Sequence, residues 1–263
     1  MRHEEQGGGT GATGQAEVTL ECADGVATVT IDVPDRRNAL SATTMQQLTA
    51  TLTELGGMPD VRAVVLTGNG AFCAGVDVTW LTSVPPAEIE RRGVAFYDLP
   101  QGMIRSILAL PVPVIAAVDG PAIGLGMDLA LACDCRFIGP RGWFAQGWAR
   151  AGLIPATGGA AMLAALSPGS IWRLLDADGR IDSGRASELN LAEPAAPAAL
   201  DAARKRAEHF AAMPATMMRG YVSLTRSLLG RVWEQHLADA ARIQLALFGE
   251  GRFRADLAAQ LDS

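Results

Sequence analysis

Apolar and polar residues alternate from Val26 to Val33, where Val29, Ile31 and Val33 are set against Thr28, Thr30 and Asp32. That period of two marks a strand with one buried face. A second strand-like run, Glu17 to Cys22, precedes it, and Asp24-Gly25 between them is a favoured hairpin turn. The period lengthens after Ser41, a helix cap: Met45, Leu48, Leu52 and Leu55 lie on one helical face that ends at Gly56-Gly57. Val61 to Thr67 and Val112 to Val118 are nearly continuous apolar runs rich in branched residues, the pattern of strands covered on both faces. Each empties into a glycine-rich loop, 68–75 and 120–126. Leu81 to Leu110 is helical in pattern, interrupted at Pro85-Pro86 and Pro100, and reads either as a pocket wall or lid or as a surface helix pair. Cys135 to Ile138 is a further strand, and 140–161 is irregular, holding Trp143, Phe144 and Trp148. Short helices follow at 170–176 and 183–189, a linker at 192–197, and then helices at 198–212, 216–229, 231–248 and 252–261. The fold class is α/β, with a strand-and-helix core and a helical tail.

Composition narrows the function classes. Of 263 residues, 49% are hydrophobic and 19% charged, which is a globular profile. The net charge of -6 and the lack of extended basic clusters argue against nucleic-acid binding. Arg36-Arg37 is a short basic pair that reads either as a solvated face or as a contact for a phosphorylated small molecule. Residues 1–16 are polar and glycine-rich, expected to be a disordered tail and unlike a signal peptide. No apolar segment approaches the ~20 residues that span a bilayer, so the chain is expected to be soluble and cytoplasmic, without a membrane partner. Cys22, Cys73, Cys133 and Cys135 lack zinc-site spacing, so buried thiols and no metal are expected.

The stretch from Pro111 to Asp128 concentrates the candidate chemistry. A buried strand leads through Gly120, Gly124 and Gly126 into a helix that begins near Leu125, so unpaired amides point into the turn and Asp128 sits one turn inside. Neither glycine loop completes G-x-G-x-x-G, the only lysine is Lys205, and the three histidines lie in the tail or late helices. A Rossmann site, a P-loop and a Ser-His-Asp triad are therefore excluded. Two strand-to-glycine turns remain, each able to present a backbone amide, and two converging amides make an oxyanion hole for a thioester enolate.

These residues carry a resemblance. Pro34-x-x-x-Asn38-Ala39-Leu40, AVVLTGNGAFCAGVDV at 63–78, PVPVIAAVDGPAIGLGMDLALACD at 111–134 and the weaker Ile154-Pro155-Ala156-Thr157-Gly158-Gly159 are similar to blocks of the crotonase, or enoyl-CoA hydratase/isomerase, superfamily. The resemblance implies a spiral of ββα turns over residues 17–196 that holds the acyl-CoA site. It also implies a C-terminal helical region, 197–263, that packs subunits into a homotrimer or dimer of trimers. It implies a coenzyme A thioester as substrate, no separate cofactor, and an oxyanion hole from the amides of Ala74 and Leu125, flanked by Gly75 and Gly124.

The chain also departs from that pattern. Hydratases of the superfamily use two glutamates, whose positions here hold Asp128 and Trp148. The aspartate keeps a carboxylate retracted by one methylene, whereas tryptophan cannot exchange the proton that hydration needs. Asp128 reads either as the acid/base or as a helix-borne solvated or cap residue. Trp148 reads either as packing or as a surface stacked on a flat acyl group, Asp77 as a brace for its loop, and Arg36 and Arg37 as surface charge or as contacts for coenzyme A phosphates. The functional expectation is an enzyme acting through a thioester enolate, by isomerisation or by addition and elimination. The alternatives are an acyl-CoA-binding protein without catalysis, and a crotonase-type decarboxylase or thioester hydrolase.

Overall fold

A computed structural model describes residues 16–176, 179–227 and 230–249. The first two strands, β1 (Val18–Ala23) and β2 (Val26–Ile31), pair antiparallel through a turn in which Asp24 and Gly25 both take positive φ, 50° and 79°. These are the torsions that match the twist of a tight hairpin. Ser41 caps α1 (Ala42–Gly56) by accepting from the Thr44 amide at 3.1 Å. The anticipated face of that helix, Met45, Leu48, Leu52 and Leu55, is buried.

The segment expected to be broken helix forms α2 (Val78–Ser83), α3 (Pro86–Arg92), a short 3-10 stretch and α4 (Asp98–Ala109). Pro100 does not interrupt α4 as expected, because it sits in the first turn, where its missing amide has no helical partner to lose. β3 (Ala63–Gly68), β4 (Val114–Val118) and β6 (Cys135–Ile138) continue the sheet in parallel on β2. The stretch at 192–197 is more than a linker, since β9 (Glu193–Pro194) pairs with β6 at the sheet edge. The order is therefore β1-β2-β3-β4-β6-β9.

A second sheet was absent from the sequence pattern. β5 (Pro121–Ile123) pairs parallel with β7 (Trp143–Ala145), which pairs antiparallel with β8 (Arg180–Asp182). Around both sheets lie α5 (Leu125–Ala132), α6 (Gly159–Leu166), α7 (Ser170–Asp176) and α8 (Ser183–Glu188). The chain then runs through α9 (Ala199–Ala212), α10 (Ala215–Arg226) and α11 (Gly230–Gly249). The helix expected at 252–261 lies outside the described residues, as do the first fifteen residues of the anticipated tail.

Both faces of the large sheet are covered, which explains the unbroken apolar runs of β3 and β4. On one side Met45, Leu48, Leu52 and Leu55 of α1 meet Met103, Ile104 and Ile107 of α4 in a single core. On the other, α9 lays Ala199, Ala203 and Ala207 against Val65, Ile115 and Ala117, small residues letting the helix approach closely. Asp119, just past β4, caps α9 by accepting from the Ala199 and Leu200 amides at 2.6 and 3.0 Å. Arg226 of α10 pairs with Asp134 at 2.5 Å and donates to the carbonyls of Leu108, Leu110 and Val112. The C-terminal helices thus share the core rather than forming a separate body.

Candidate active site

β3 and β4 are adjacent and parallel, so the glycine loops after them leave the sheet side by side at the carboxyl ends of the strands, where open α/β sheets bind ligands. Three sets of bonds fix the two loops to each other and to residues 34–40. The Cys73 amide donates to the Pro121 carbonyl at 3.0 Å, and the Ile123 amide to the Cys73 carbonyl at 2.9 Å. Asn38 is fully buried, accepts from the Val33 amide at 2.8 Å and donates to the carbonyls of Ala71 and Asn69 at 2.6 and 3.2 Å. Asp77 accepts from the Thr79 and Trp80 amides and from Arg36 at 2.9 Å, the loop brace expected of it.

The anticipated pair of amides needs one correction. The Ala74 amide donates to the Arg37 carbonyl at 3.0 Å and is therefore not free. Three residues on, the Asp77 amide donates to the Leu40 carbonyl, and the Leu40 amide donates to the Gly75 carbonyl, which leaves the intervening Val76 amide turned away from that pairing. The N–H groups of Val76 and Leu125 have no hydrogen-bond partner among the described residues. Leu125 is the first residue of α5, so its amide precedes the helical ladder and carries the positive end of the helix dipole. Gly75 brings the two together: a Cβ there would lie 2.7 Å from the Ile123 carbonyl and 3.7 Å from the Leu125 nitrogen.

Val76 and Leu125 line two adjoining cavities. One, of about 140 Å³, is shared with Ala74, Gly75, Gly124 and Trp148, and so gathers most of the anticipated ligand-contact residues. The other holds only about 30 Å³ of free space behind Trp148, walled by Trp80, Phe96, Tyr97 and Thr157. Gln244 and Phe248 of α11 also line it, so the C-terminal helices reach this cavity. Trp148 lies against Gly124, where a Cβ would come 3.4 Å from the indole, and lines both cavities, as Val76, Leu81 and Leu125 do. Trp148→Ala is expected to merge them and to shift thioester binding toward longer acyl chains, which calorimetry over a chain-length series would measure; an unchanged length preference removes Trp148 from the acyl wall.

Asp128 is fully buried and lines neither cavity. Its carboxylate oxygen Oδ2 accepts from the Thr157 hydroxyl at 2.5 Å. Burial is the main influence on its acidity and pushes the carboxyl from 3.8 up to about 7, against smaller opposing effects of Thr157, Gln146 and the Gly159 amide. Neither of the last two is aligned as a full hydrogen bond, since Oδ1 of Asp128 and both polar atoms of Gln146 have no hydrogen-bond partner among the described residues. The reading of Asp128 as a solvated residue fails on its burial. Of the two arginines, Arg36 is held by Glu17 and Asp77 at 2.7 and 2.9 Å, so its charge is already matched, while Arg37 is exposed beside the loop.

Sequence reasoning missed Val76 and Thr157 as site residues. Val76 lies one step past a glycine that drew all the weight, and nothing in the sequence ties Thr157 to an aspartate 29 positions earlier.

The enoyl-CoA hydratase/isomerase family model matches residues 21–246. The chain belongs to that family. It is 32% identical over 221 residues to a putative enoyl-CoA hydratase of Thermus thermophilus, covering 83% of this chain and 85% of that one. A probable enoyl-CoA hydratase of Mycobacterium tuberculosis is 41% identical over 147 residues, 56% of each chain. The match to that relative thus spans little more than half its length. Among solved structures, a putative enoyl-CoA hydratase from Streptomyces coelicolor superposes with a TM-score of 0.75 at 31% identity, over 98% of this chain and 97% of its own. An enoyl-CoA hydratase/isomerase from Mycobacterium paratuberculosis reaches 0.84 at 24% identity over 92% and 98%, a likeness of fold. The crotonase fold with its helical C-terminal region is therefore that of this family member.

Proposed function

We propose that this crotonase-family chain binds an acyl-CoA thioester and transfers a proton next to its carbonyl, with migration of a double bond along the acyl chain as the net reaction. The observation that carries the reading is the pair of amides, Val76 and Leu125, that have no hydrogen-bond partner among the described residues and line one cleft. Donors fixed where a thioester oxygen gains charge stabilise the enolate without reorganising. A carboxylate with an acidity near neutrality is matched to reversible proton transfer.

Hydration is the weaker fit. It requires a water held and activated on one face, and the inner cavity is walled almost wholly by apolar side chains, with tryptophan where a second acid would stand. Isomerisation needs only one group that removes a proton and returns it elsewhere. The reading in which the protein binds acyl-CoA without turnover is favoured by two facts, the closure of Asp128 from the cavities and the indole of Trp148 in the wall. One measurement separates the two: deuterium entry at the α-carbon of a short unsaturated acyl-CoA in deuterated buffer. Exchange well above the protein-free rate, with movement of the double bond, is the expected result. Tight binding with exchange at the protein-free rate establishes the binding-protein reading instead.

A further inference from the structure

Asp128 has the acidity of a working base but no surface in either cavity. Thr157 has the complementary placement, since it lines the inner cavity together with Val76 and Leu125 while its hydroxyl donates to Asp128. We propose that Thr157 is the catalytic residue that meets the substrate, passing a proton between the α-carbon of the thioester and the buried carboxylate of Asp128, which acts only through it. The proposal rests on the thioester reading given above.

The hydrogen-bond direction makes the step possible. A hydroxyl has one proton, and Thr157 commits it to Oδ2, which leaves its lone pairs for the cavity. When the α C–H bond breaks, its electron pair moves into the new C=C bond as the carbonyl π pair settles on the thioester oxygen, held by the Val76 and Leu125 amides. The α-proton joins Thr157 Oγ1 as the original hydroxyl proton passes to Asp128 Oδ2. Thr157 is then a donor toward the cavity, and the reverse transfer delivers the proton to the chain and restores the carboxylate. No other species is consumed.

The surrounding structure holds Thr157 in register for this role. Gln101 of α4 donates to the carbonyl of Ala156 at 2.9 Å and to that of Leu237 at 3.0 Å, tying the segment to α11. Gln244 of α11 accepts from the Ile154 amide at 2.9 Å. On the far side, Trp233 packs against Gly158, and Gly159 lies so close to Asp128 that a Cβ there would fall 2.0 Å from Oδ1. The carboxylate and the hydroxyl are thus clamped together from three helices.

The test compares Thr157→Val, which keeps the shape, with Thr157→Ser, which keeps the hydroxyl. Both are measured for α-proton exchange of a saturating short acyl-CoA in deuterated water and for acyl-CoA affinity by calorimetry. The expected result is a loss of about 100-fold or more in exchange for Thr157→Val, with affinity unchanged within a few-fold, and recovery to within about tenfold for Thr157→Ser. Exchange by Thr157→Val at the wild-type rate, or equal losses in both variants, overturns the relay. Wild-type protein that binds acyl-CoA without exchanging it overturns the proton-transfer reading itself, and the relay with it.

Discussion

Gly126→Ala is expected to lower stability by about 2–3 kcal/mol, and to lower the melting temperature by roughly 5–10 °C for a chain of this size. Alanine is normally favoured over glycine inside a helix by about 0.5–1 kcal/mol. Here that gain is outweighed, because the added Cβ would lie 2.1 Å from the Cys73 carbonyl oxygen and 2.8 Å from its carbonyl carbon. Those are backbone atoms, and Cys73 is bonded to both Pro121 and Ile123, so the first loop cannot retreat without breaking the bridge that joins it to the second. Because the displacement would separate Val76 from Leu125, turnover should fall with stability. Gly102→Ala is the control, since Gly102 also lies in a helix, α4, and, apart from its chain neighbours and its own helix backbone, no atom of the described residues lies within 4 Å of the position its Cβ would take. It should be neutral or stabilising in thermal unfolding. If both variants melt like the wild type, the close approach of α5 to the first loop does not govern stability.

What could be read from sequence followed the length of the signal. The alternation of β2, the continuous apolar runs of β3 and β4 and the face of α1 are long enough to read locally, and each element forms close to where the pattern placed it, although β2 is covered on both faces, with Thr28 buried, where one buried face was expected. β5, β7 and β8 have three residues each, too few to alternate, and their pairing is a tertiary event. The site divides in the same way. Gly75, Gly124 and Leu125 were legible because glycine-rich turns and helix starts have local signatures, and the structure brings them to one cleft. Which amide of the first loop is free was not legible, because it depends on Arg37 and Leu40 taking up those of Ala74 and Asp77 from a distant loop. Burial of Asp128 behind Thr157 was hidden for a related reason: the position of α6 decides it, and no residue adjacent to Asp128 in the chain reports it.

Asp128→Asn is expected to remove proton transfer, by about 100-fold or more, while making the protein more stable in mild alkali. The sign follows from the raised acidity constant. In the unfolded chain this carboxyl ionises near its ordinary value of 3.8, whereas in the folded protein burial holds it protonated up to about 7. Between those values the folded state binds the additional proton, so stability is full below the lower one and declines as pH rises toward the upper one. From about pH 5 to about pH 8 the decline attributable to this one group is on the order of 3 kcal/mol. Asparagine carries no charge to bury, and its amide oxygen can still accept from Thr157. The neighbouring Gln146 carboxamide, whose oxygen is buried with no hydrogen-bond partner among the described residues, is available as an acceptor for its nitrogen. Denaturant unfolding of both proteins at the two pH values is the measurement, with the difference between them as the quantity of interest. That difference should move in favour of Asp128→Asn as pH rises; parallel curves would mean that the carboxylate is not paying a burial cost and has no raised acidity for the relay to use.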